Sequence, residues 1–215
     1  MIEFYNVDLD IDDKPILSGV SFRIVKGEFV YLAGPSGAGK SSVLRMIYMD
    51  IFPTRGIVVV EKFSSQKIKR KKIPYLRRQT GVVFQDFKLL PDRTAYENVA
   101  LAMRVVGAKK SEIKRAVWLA LAEVNLGSKR DHYPAELSGG EQQRTAIARA
   151  IVNQPVIILA DEPTGNLDAE NSREVMDTLQ KINQHGTAVL MATHDEELIK
   201  EYPHRVIRLV DGKQL

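Results

Sequence analysis

A glycine-rich segment that follows a short apolar run carries the residue types that bind a phosphate group. Residues 34–42 read Gly-Pro-Ser-Gly-Ala-Gly-Lys-Ser-Ser and fit the pattern G-x-x-x-x-G-K-[ST] after an apolar strand. Glycines let the backbone approach an anion, so that amide N–H groups point at phosphate oxygens. Lys40 adds a positive charge toward the β- and γ-phosphates, and the Ser41 hydroxyl is suited to ligate Mg²⁺. The pattern predicts a P-loop whose nucleotide-binding residues are Gly34, Pro35, Ser36, Gly37, Ala38, Gly39, Lys40, Ser41 and Ser42.

Two adjacent carboxylates follow an apolar run further along the chain. The run 156–160 ends at Asp161 and Glu162. Ligand sites of α/β proteins form at the carboxyl ends of parallel strands. The P-loop also follows a strand, so we expect it at the same edge of the sheet as the two carboxylates. We assign Asp161 to the Mg²⁺ shell and Glu162 to the general base that polarises the attacking water. An acidic pair after a strand is usually only a solvated strand end, but together with a P-loop the catalytic interpretation is favoured.

The elements that position these groups follow from hydrophobic periodicity. The continuous apolar runs 156–160 and 188–192 are typical of parallel strands buried on both faces. Residues 2–32 alternate between apolar and polar residues and predict short strands separated by turns. Two helices are predicted, one beginning after Ser111 as its N-cap and one spanning residues 170–185. The fold class is therefore α/β, with a parallel sheet covered by helices.

The amino-acid composition excludes several classes of protein. A chain of 215 residues with 44% hydrophobic and 27% charged residues fits one folded globular domain. It has no cysteine, which excludes disulfides and thiolate metal sites. The longest apolar runs are far shorter than the roughly 20 residues that span a bilayer, and no signal sequence is visible. We expect a cytoplasmic protein that meets a membrane only through a partner or its surface.

A second anion-binding turn carries the family resemblance. Residues 137–144 read Leu-Ser-Gly-Gly-Glu-Gln-Gln-Arg and resemble the signature of ATP-binding-cassette (ABC) ATPases. A helix predicted from Gln142 to Val152 follows, so its N-terminus favours an anion. In the family this turn caps the γ-phosphate of ATP bound to the other subunit, which implies a homodimer on ATP binding. The resemblance assigns this role to Ser138, Gly139, Gly140 and Glu141.

Further segments resemble the family in the expected order. Gln85 resembles the Q-loop glutamine, Asp168 ends a segment similar to the D-loop, and His194 resembles the switch histidine. The resemblance implies a catalytic role for Gln85 and His194 beside Glu162 and Lys40. It adds Gln85 to the Mg²⁺ ligands Ser41 and Asp161, and Asp168 to the nucleotide-binding residues. Ile11 occupies the position where the family usually has an aromatic residue that stacks on adenine, so it is assigned to the base.

The resemblance also implies the domain organisation. The fold expected is that of a P-loop NTPase of the ABC ATPase type, with a parallel-sheet core, an antiparallel β subdomain and a helical subdomain. A single domain, 1–215, would divide into a nucleotide-binding core with the β subdomain, 1–86 and 153–215, and a helical signature subdomain, 87–152. The cofactors expected are ATP and Mg²⁺.

Two segments narrow the resemblance within the family. Residues 84–100 and 189–195 are similar to cell-division ATPases of the FtsE type, whereas 161–168 is shared with lipoprotein-release and macrolide-export ATPases. The former resemblance implies an FtsX-like transmembrane partner, regulation of cell-wall hydrolases, and peripheral association with the cytoplasmic face of the bacterial plasma membrane. A lipoprotein-release or macrolide-export subunit is the alternative.

A basic cluster suggests rival functions. It consists of Lys67, Lys69, Arg70, Lys71, Lys72, Arg77 and Arg78. Seven positive groups can contact DNA phosphates, which would suit a DNA-acting ABC ATPase. The long coiled-coil insertions of such relatives are missing, so we expect no nucleic acid and favour a surface that faces anionic lipid headgroups. A scaffold that binds nucleotide without hydrolysing it is a third hypothesis, against which Glu162 argues.

Overall fold

The structure is a computed structural model that describes residues 1–215 as two sheets and seven α-helices. The strands are β1 (Ile2–Ile11), β2 (Lys14–Ile24), β3 (Phe29–Ala33), β4 (Arg55–Val60), β5 (Phe63–Ser64), β6 (Thr80–Val83), β7 (Ile157–Asp161), β8 (Ala188–Thr193), β9 (Arg205–Val210) and β10 (Lys213–Gln214). The helices are α1 (Lys40–Ile47), α2 (Ile73–Arg77), α3 (Ala95–Val105), α4 (Lys110–Glu123), α5 (Gly139–Ile151), α6 (Ala169–Gln184) and α7 (Glu196–Glu201). Short 3₁₀ turns lie at Arg70–Lys72, Gly127–Lys129 and Pro134–Glu136.

A parallel sheet forms the centre of the molecule. Its order is β10-β9-β3-β8-β7-β6, and all its pairs are parallel except β9 with β10. Every residue of β3 and β8 is buried, as expected for continuous apolar strands covered on both faces. The two main hydrophobic clusters lie on opposite faces of this sheet. The predicted α/β class with a parallel-sheet core is confirmed.

An antiparallel sheet of order β2-β1-β4-β5 packs beside the central sheet. Phe4 and Phe22, which are paired across β1 and β2, stack with ring centroids 4.4 Å apart. Their cluster also contains Val43 and Leu44 of α1, so this sheet and the central sheet share one core. The first helix therefore has a fixed position between the two sheets.

Helices α3, α4 and α5 lie between β6 and β7 in the chain and pack on one another. Helix α5 also packs against β6 and α6, which joins this helical layer to the central sheet. Helix α5 begins at Gly139 rather than at the predicted Gln142, because Ser138 caps it in a capping box with Glu141. Helix α4 begins at Lys110 with Lys109 at the N-cap, so the N-cap prediction for Ser111 is wrong.

The loop between β6 and α3 is fastened by one buried amide. Asn98 in α3 is fully buried, and its Oδ1 accepts a hydrogen bond from Leu90 N at 2.8 Å. Its Nδ2 lies 3.1 Å from Leu90 O, 3.0 Å from Arg93 O and 3.0 Å from Thr94 O. One side chain thus satisfies the backbone of most of this turn, which leads away from Gln85.

We expect Asn98→Ala to lower the free energy of unfolding by about 2–4 kcal/mol, because several buried backbone groups lose their partner. Asn98→Asp is the matched variant, since it keeps the acceptor for Leu90 N but places a second oxygen against the carbonyl groups. It should also be destabilised at neutral pH. Urea unfolding measures both changes, and a loss below about 0.5 kcal/mol in either variant would contradict this role.

Candidate functional site

The P-loop wraps around the ammonium group of Lys40. This lysine opens α1 and is only 5% exposed. Its Nζ donates hydrogen bonds to Gly34 O at 2.7 Å and Pro35 O at 3.0 Å, and lies 3.5 Å from Glu162 Oε1. The positive charge is thus held in the loop and faces the carboxylate predicted to be the general base.

Two glycines of the P-loop are required by close approaches. A Cβ at Gly34 would lie 2.1 Å from Leu209 O in β9. Gly39 has φ +96°, and a Cβ there would lie 2.5 Å from Leu17 Cδ2. The loop is therefore pressed between β9 and β2, and only glycine fits at these positions. Leu17 supports the loop, a role that the alternating pattern of β2 does not reveal.

Ser41 and Asp161 lie together beside the P-loop. The Ser41 hydroxyl lies near enough to the Asp161 carboxylate to favour its charged form. Burial raises the pKa of Asp161 above its ordinary value, and the charge of Glu162 raises it further, whereas Ser41 and Lys40 lower it. A half-buried carboxylate next to a hydroxyl offers the hard oxygen ligands that Mg²⁺ prefers, so these two residues fit the ion. Phosphate oxygens and water would complete the shell of such an ion.

Glu162 is held between a lysine and a histidine. Its Oε2 lies 3.0 Å from His194 Nδ1, and its Oε1 faces Lys40. The residue has φ +45°, a left-handed conformation that costs a non-glycine residue of order 1–3 kcal/mol. Its backbone N–H donates to Ala192 O at the end of β8, which anchors the turn. A cleft of about 400 Å³ opens next to Glu162 and His194. The structure therefore brings together Lys40, Ser41, Asp161, Glu162 and His194.

Gln85 joins a different neighbour. Its Nε2 lies 3.3 Å from Asn166 Oδ1, and Asn166 Nδ2 donates to Gln85 O at 3.3 Å. Gln85 has no hydrogen bond to Ser41 or Asp161, with which it was predicted to hold Mg²⁺. The structure instead ties the loop after β6 to the segment predicted to be the D-loop.

The predicted signature turn forms the N-terminus of α5. Ser138 Oγ accepts a hydrogen bond from Glu141 N at 3.2 Å, and Ser138 N donates to Glu141 Oε2 at 2.9 Å. The hydrogen bond from Ser138 N is the main cause of a lowered pKa of the Glu141 carboxyl. Ser138, Gly139, Gly140 and Glu141 have no hydrogen bond or ion pair with the P-loop. One chain thus carries two separate helix N-termini that favour anions, those of α1 and α5.

A buried glutamine that the sequence reasoning missed connects three segments of the site. Gln143 in α5 is fully buried, and its Nε2 donates to Phe84 O at 3.2 Å and to Pro163 O at 2.7 Å. Phe84 precedes Gln85, and Pro163 follows Glu162. The only sign of this role in the sequence is that Gln143 is a polar residue on the buried face of a predicted helix. Gln143 fixes the position of α5 relative to both loops.

Two further residues extend this connection. Arg149 Nη1 donates to Lys88 O at 2.5 Å and Nη2 to Phe87 O at 2.8 Å, where both carbonyl-bearing residues have positive φ. Burial lowers the pKa of Arg149. Asn171 Nδ2 lies 2.8 Å from Asp168 Oδ2, and Asp168 itself caps α6. Hydrogen bonds from Asn171 are the main cause of the lowered pKa of Asp168.

Ile11 lies at the end of β1, where it pairs with Lys14 and is 37% exposed. Its side chain is accessible at the surface next to the β1–β2 turn. Stacking on adenine stays a prediction.

None of the seven helices combines the length and the apolar character that are needed to cross a bilayer.

Comparison with known proteins places this arrangement in a family. The ABC transporter family profile matches residues 17–165. The FtsE cell division ATP-binding protein of Bacillus subtilis is 53% identical over 196 residues, which cover 91% of this chain and 86% of that protein. The FtsE protein of Escherichia coli is 44% identical over 213 residues, 99% of this chain and 96% of that protein. A dimeric ATP-binding cassette solved in a post-hydrolysis state with ADP and Pi superposes with a TM-score of 0.86 at 36% identity, covering 100% of this chain and 96% of that one.

The P-loop, the acidic end of β7 and the Ser138 turn define an ATP-hydrolysing cassette. The chain belongs to the ABC transporter family and, within it, to the family of FtsE cell division ATP-binding proteins. The predicted ABC ATPase fold and the predicted ATPase activity are thereby confirmed.

Gly140 offers a test of how the signature turn is positioned. A Cβ at Gly140 would lie 1.9 Å from Asn171 Oδ1 and 2.9 Å from Asn171 Cβ. We expect Gly140→Ala to lower the free energy of unfolding by about 1–3 kcal/mol through this overlap. In the Asn171→Ala background the same change should cost much less, because the space is free.

Gly139→Ala is the matched control in the same turn. Its Cβ would meet the flexible end of Leu167 at 3.1 Å and Phe87 Cζ at 3.9 Å, so a cost below about 1 kcal/mol is expected. Denaturant unfolding of the four variants completes the cycle. An equal cost of Gly140→Ala in both backgrounds would show that Asn171 is not the cause.

Proposed function

We propose that this ATPase works as a homodimer that encloses two ATP molecules. Each triphosphate lies between Lys40 and Ser41 of one chain and Ser138 and Gly140 of the other, so nucleotide forms much of the joint. The observation that carries this proposal is the pair of separate helix N-termini, of which the Ser138 turn has no hydrogen bond or ion pair with its own P-loop. The dimeric form of the ADP- and Pi-bound cassette supports the same arrangement.

The chemistry proposed for the site is hydrolysis of the terminal phosphate. Glu162 accepts a proton from the attacking water as the P–O bond to ADP breaks, which yields ADP and phosphate. His194, 3.0 Å from Glu162, orients that carboxylate and binds the γ-phosphate. Lys40 and the P-loop amides bind the β- and γ-phosphates. Ser41 and Asp161 hold Mg²⁺, which neutralises charge on the phosphates when bound, and Gln85 contributes to the same shell.

Division of the chain into subdomains allows hydrolysis to move one part of the protein relative to another. We assign 1–86 and 153–215 to the nucleotide-binding core with its β subdomain and 87–152 to the helical signature subdomain. Gln143 of α5 holds the backbone just before Gln85, and Arg149 of α5 holds the backbone just after it. A shift of α5 toward a γ-phosphate therefore moves the loop around Gln85, and the loop transmits the shift to a membrane partner. Asp168, tied to Asn171 beside Gly140, contributes to the same joint across the dimer.

The cell-division role follows from the relatives. Proteins named FtsE are 44–53% identical to most of this chain. We assign to it an FtsX-like transmembrane partner, regulation of cell-wall hydrolases through that partner, and peripheral association with the cytoplasmic face of the plasma membrane. A lipoprotein-release or macrolide-export ATPase is the alternative, since residues 161–168 suit these as well.

The Glu162→Gln variant tests the catalytic and dimer assignments together. Loss of the general base should reduce phosphate release at least about 100-fold, while ATP binding persists. The dimer should then accumulate in saturating MgATP, as measured by light scattering. Glu123→Gln at the end of α4, outside the predicted site, is the matched control and should leave both properties unchanged. Unchanged phosphate release in Glu162→Gln would contradict the base, and a monomer in MgATP would contradict the joint.

Copurification tests the partner assignment. We expect the tagged chain, extracted from membranes in mild detergent, to recover an FtsX-like four-helix protein that an untagged strain does not yield. The physical basis is that the loop around Gln85 can transmit a movement to a membrane protein only through direct contact with it. Recovery of a lipoprotein-release permease instead would move the chain to the alternative function.

A further inference from the structure

Residues 62–78 concentrate positive charge on one surface of the chain. The basic face comprises Lys62, Lys67, Lys69, Arg70, Lys71, Lys72, Arg77 and Arg78, all of them exposed. The whole chain has 31 basic and 27 acidic residues, and residues 62–78 hold eight of the former and none of the latter. The rest of the chain, with 23 basic and 27 acidic residues, is therefore net negative. The basicity of the protein is a local property of this face.

The charges of the basic face are largely uncompensated. Only Arg77 has an ion pair, with Asp50 at 3.6 Å, and it also donates to the carbonyl groups of Tyr48 and Met49. The other seven side chains form no ion pair. Like charges held this close repel one another and destabilise the folded chain, an effect that a polyanion relieves. The face is thus suited to an anionic partner.

An aromatic residue lies at the centre of this face. Tyr75 in α2 is 51% exposed, and its ring centroid lies 5.0 Å from Lys72 Nζ and 5.2 Å from Arg78 Cζ. A shallow cavity of about 460 Å³ adjoins it, lined by Lys62, Phe63, Lys72, Tyr75, Arg78 and Gln79. The cations Lys62, Lys72 and Arg78 can bind a phosphate group in this cavity. The rings of Phe63 and Tyr75 can contact the apolar part of the same ligand.

Bilayer lipid fits this arrangement better than nucleic acid. Duplex DNA is read by an extended helix or ribbon in the major groove, but α2 has five residues. Single strands stack on free aromatic rings, whereas the Tyr75 ring is already engaged by two cations. Tyrosine beside Lys and Arg is typical of the membrane interface, where the ring meets the acyl boundary and the cations meet headgroups.

We propose that the basic face binds anionic phospholipid headgroups directly, with the Tyr75 pocket receiving a headgroup phosphate. This inference deepens the proposed membrane association and rests on it. Each basic residue near an anionic leaflet strengthens binding severalfold, so several acting together hold the protein at the membrane without a transmembrane segment. The contact also orients the nucleotide-binding dimer with this face toward the lipid.

Cosedimentation with vesicles tests the proposal on the full-length chain without any membrane partner. The vesicles contain phosphatidylcholine alone or phosphatidylcholine with phosphatidylglycerol. The variant of the basic face carries Lys69→Gln, Arg70→Gln, Lys71→Gln and Lys72→Gln, which break no ion pair. The matched control removes the same charge from α4 and its N-cap with Lys109→Gln, Lys110→Gln, Lys114→Gln and Arg115→Gln.

We expect the unaltered chain and the α4 control to bind only the anionic vesicles, with binding that weakens as salt rises. The variant of the basic face should bind on the order of 100-fold more weakly. Equal binding by all three chains, equal loss in both variants, or no binding by the unaltered chain overturns the proposal. Duplex DNA is the competing probe, and retention of DNA but not vesicles through the basic face would also overturn it.

ATPase assays keep this result separate from the proposed function. Phosphate release by the variant of the basic face in solution should equal that of the unaltered chain, because the face contains none of the nucleotide-binding residues. Loss of vesicle binding with intact hydrolysis supports the lipid contact. Lost hydrolysis in that variant contradicts the separation of the two sites.

Discussion

Parallel pairing of four buried strands is the constraint on which the site depends. In register, Ala33 lies opposite Thr193, Asp161 opposite Ala192, and Val83 opposite Ala160. The four strands therefore end at one edge, and whatever follows each strand meets the others there. The P-loop, the carboxylate pair, the histidine and the Q-loop come from segments as far apart as residues 34 and 194. Their proximity is a consequence of strand register rather than of direct attraction between polar groups.

Buried polar side chains of α5 fix the helical layer relative to the edge of the central sheet. Apolar packing alone permits small sliding, whereas Gln143 and Arg149 hold specific carbonyl groups of the loops on either side. The arrangement also has a cost, because Gln143 Oε1 and Arg144 Nε are buried without a hydrogen-bond partner. Selection for stability alone would favour apolar side chains at these positions. Their retention agrees with a helix that must be fixed relative to two loops.

The sequence predicted those parts of the site that depend on local pattern. A P-loop, a continuous apolar strand and an acidic strand end are contiguous features, and Lys40, Asp161 and Glu162 are found together as those features implied. Gln143 and Asn171 escaped prediction because their partners are distant in sequence and depend on how helices pack. The start of α5 was placed three residues late, since the periodicity of apolar residues begins after the two glycines, whereas capping by Ser138 begins the helix. Ser111 has the side chain of an N-cap, but Glu112 accepts a hydrogen bond from Lys109 N, which starts α4 earlier.

The contacts of Lys40 suggest a link between nucleotide binding and the proposed general base, Glu162. An ammonium group has three donors, and here they face Gly34 O, Pro35 O and Glu162 Oε1. A phosphate oxygen can reach Lys40 only by replacing one of these. The contact with Glu162 is the longest of the three, and a phosphate carries more charge than a carboxylate, so Glu162 is the partner most readily exchanged. Release from Lys40 leaves the carboxylate with His194 and frees Glu162 Oε1 to accept a hydrogen bond from water. Binding of the triphosphate would thus leave the proposed general base free to face water.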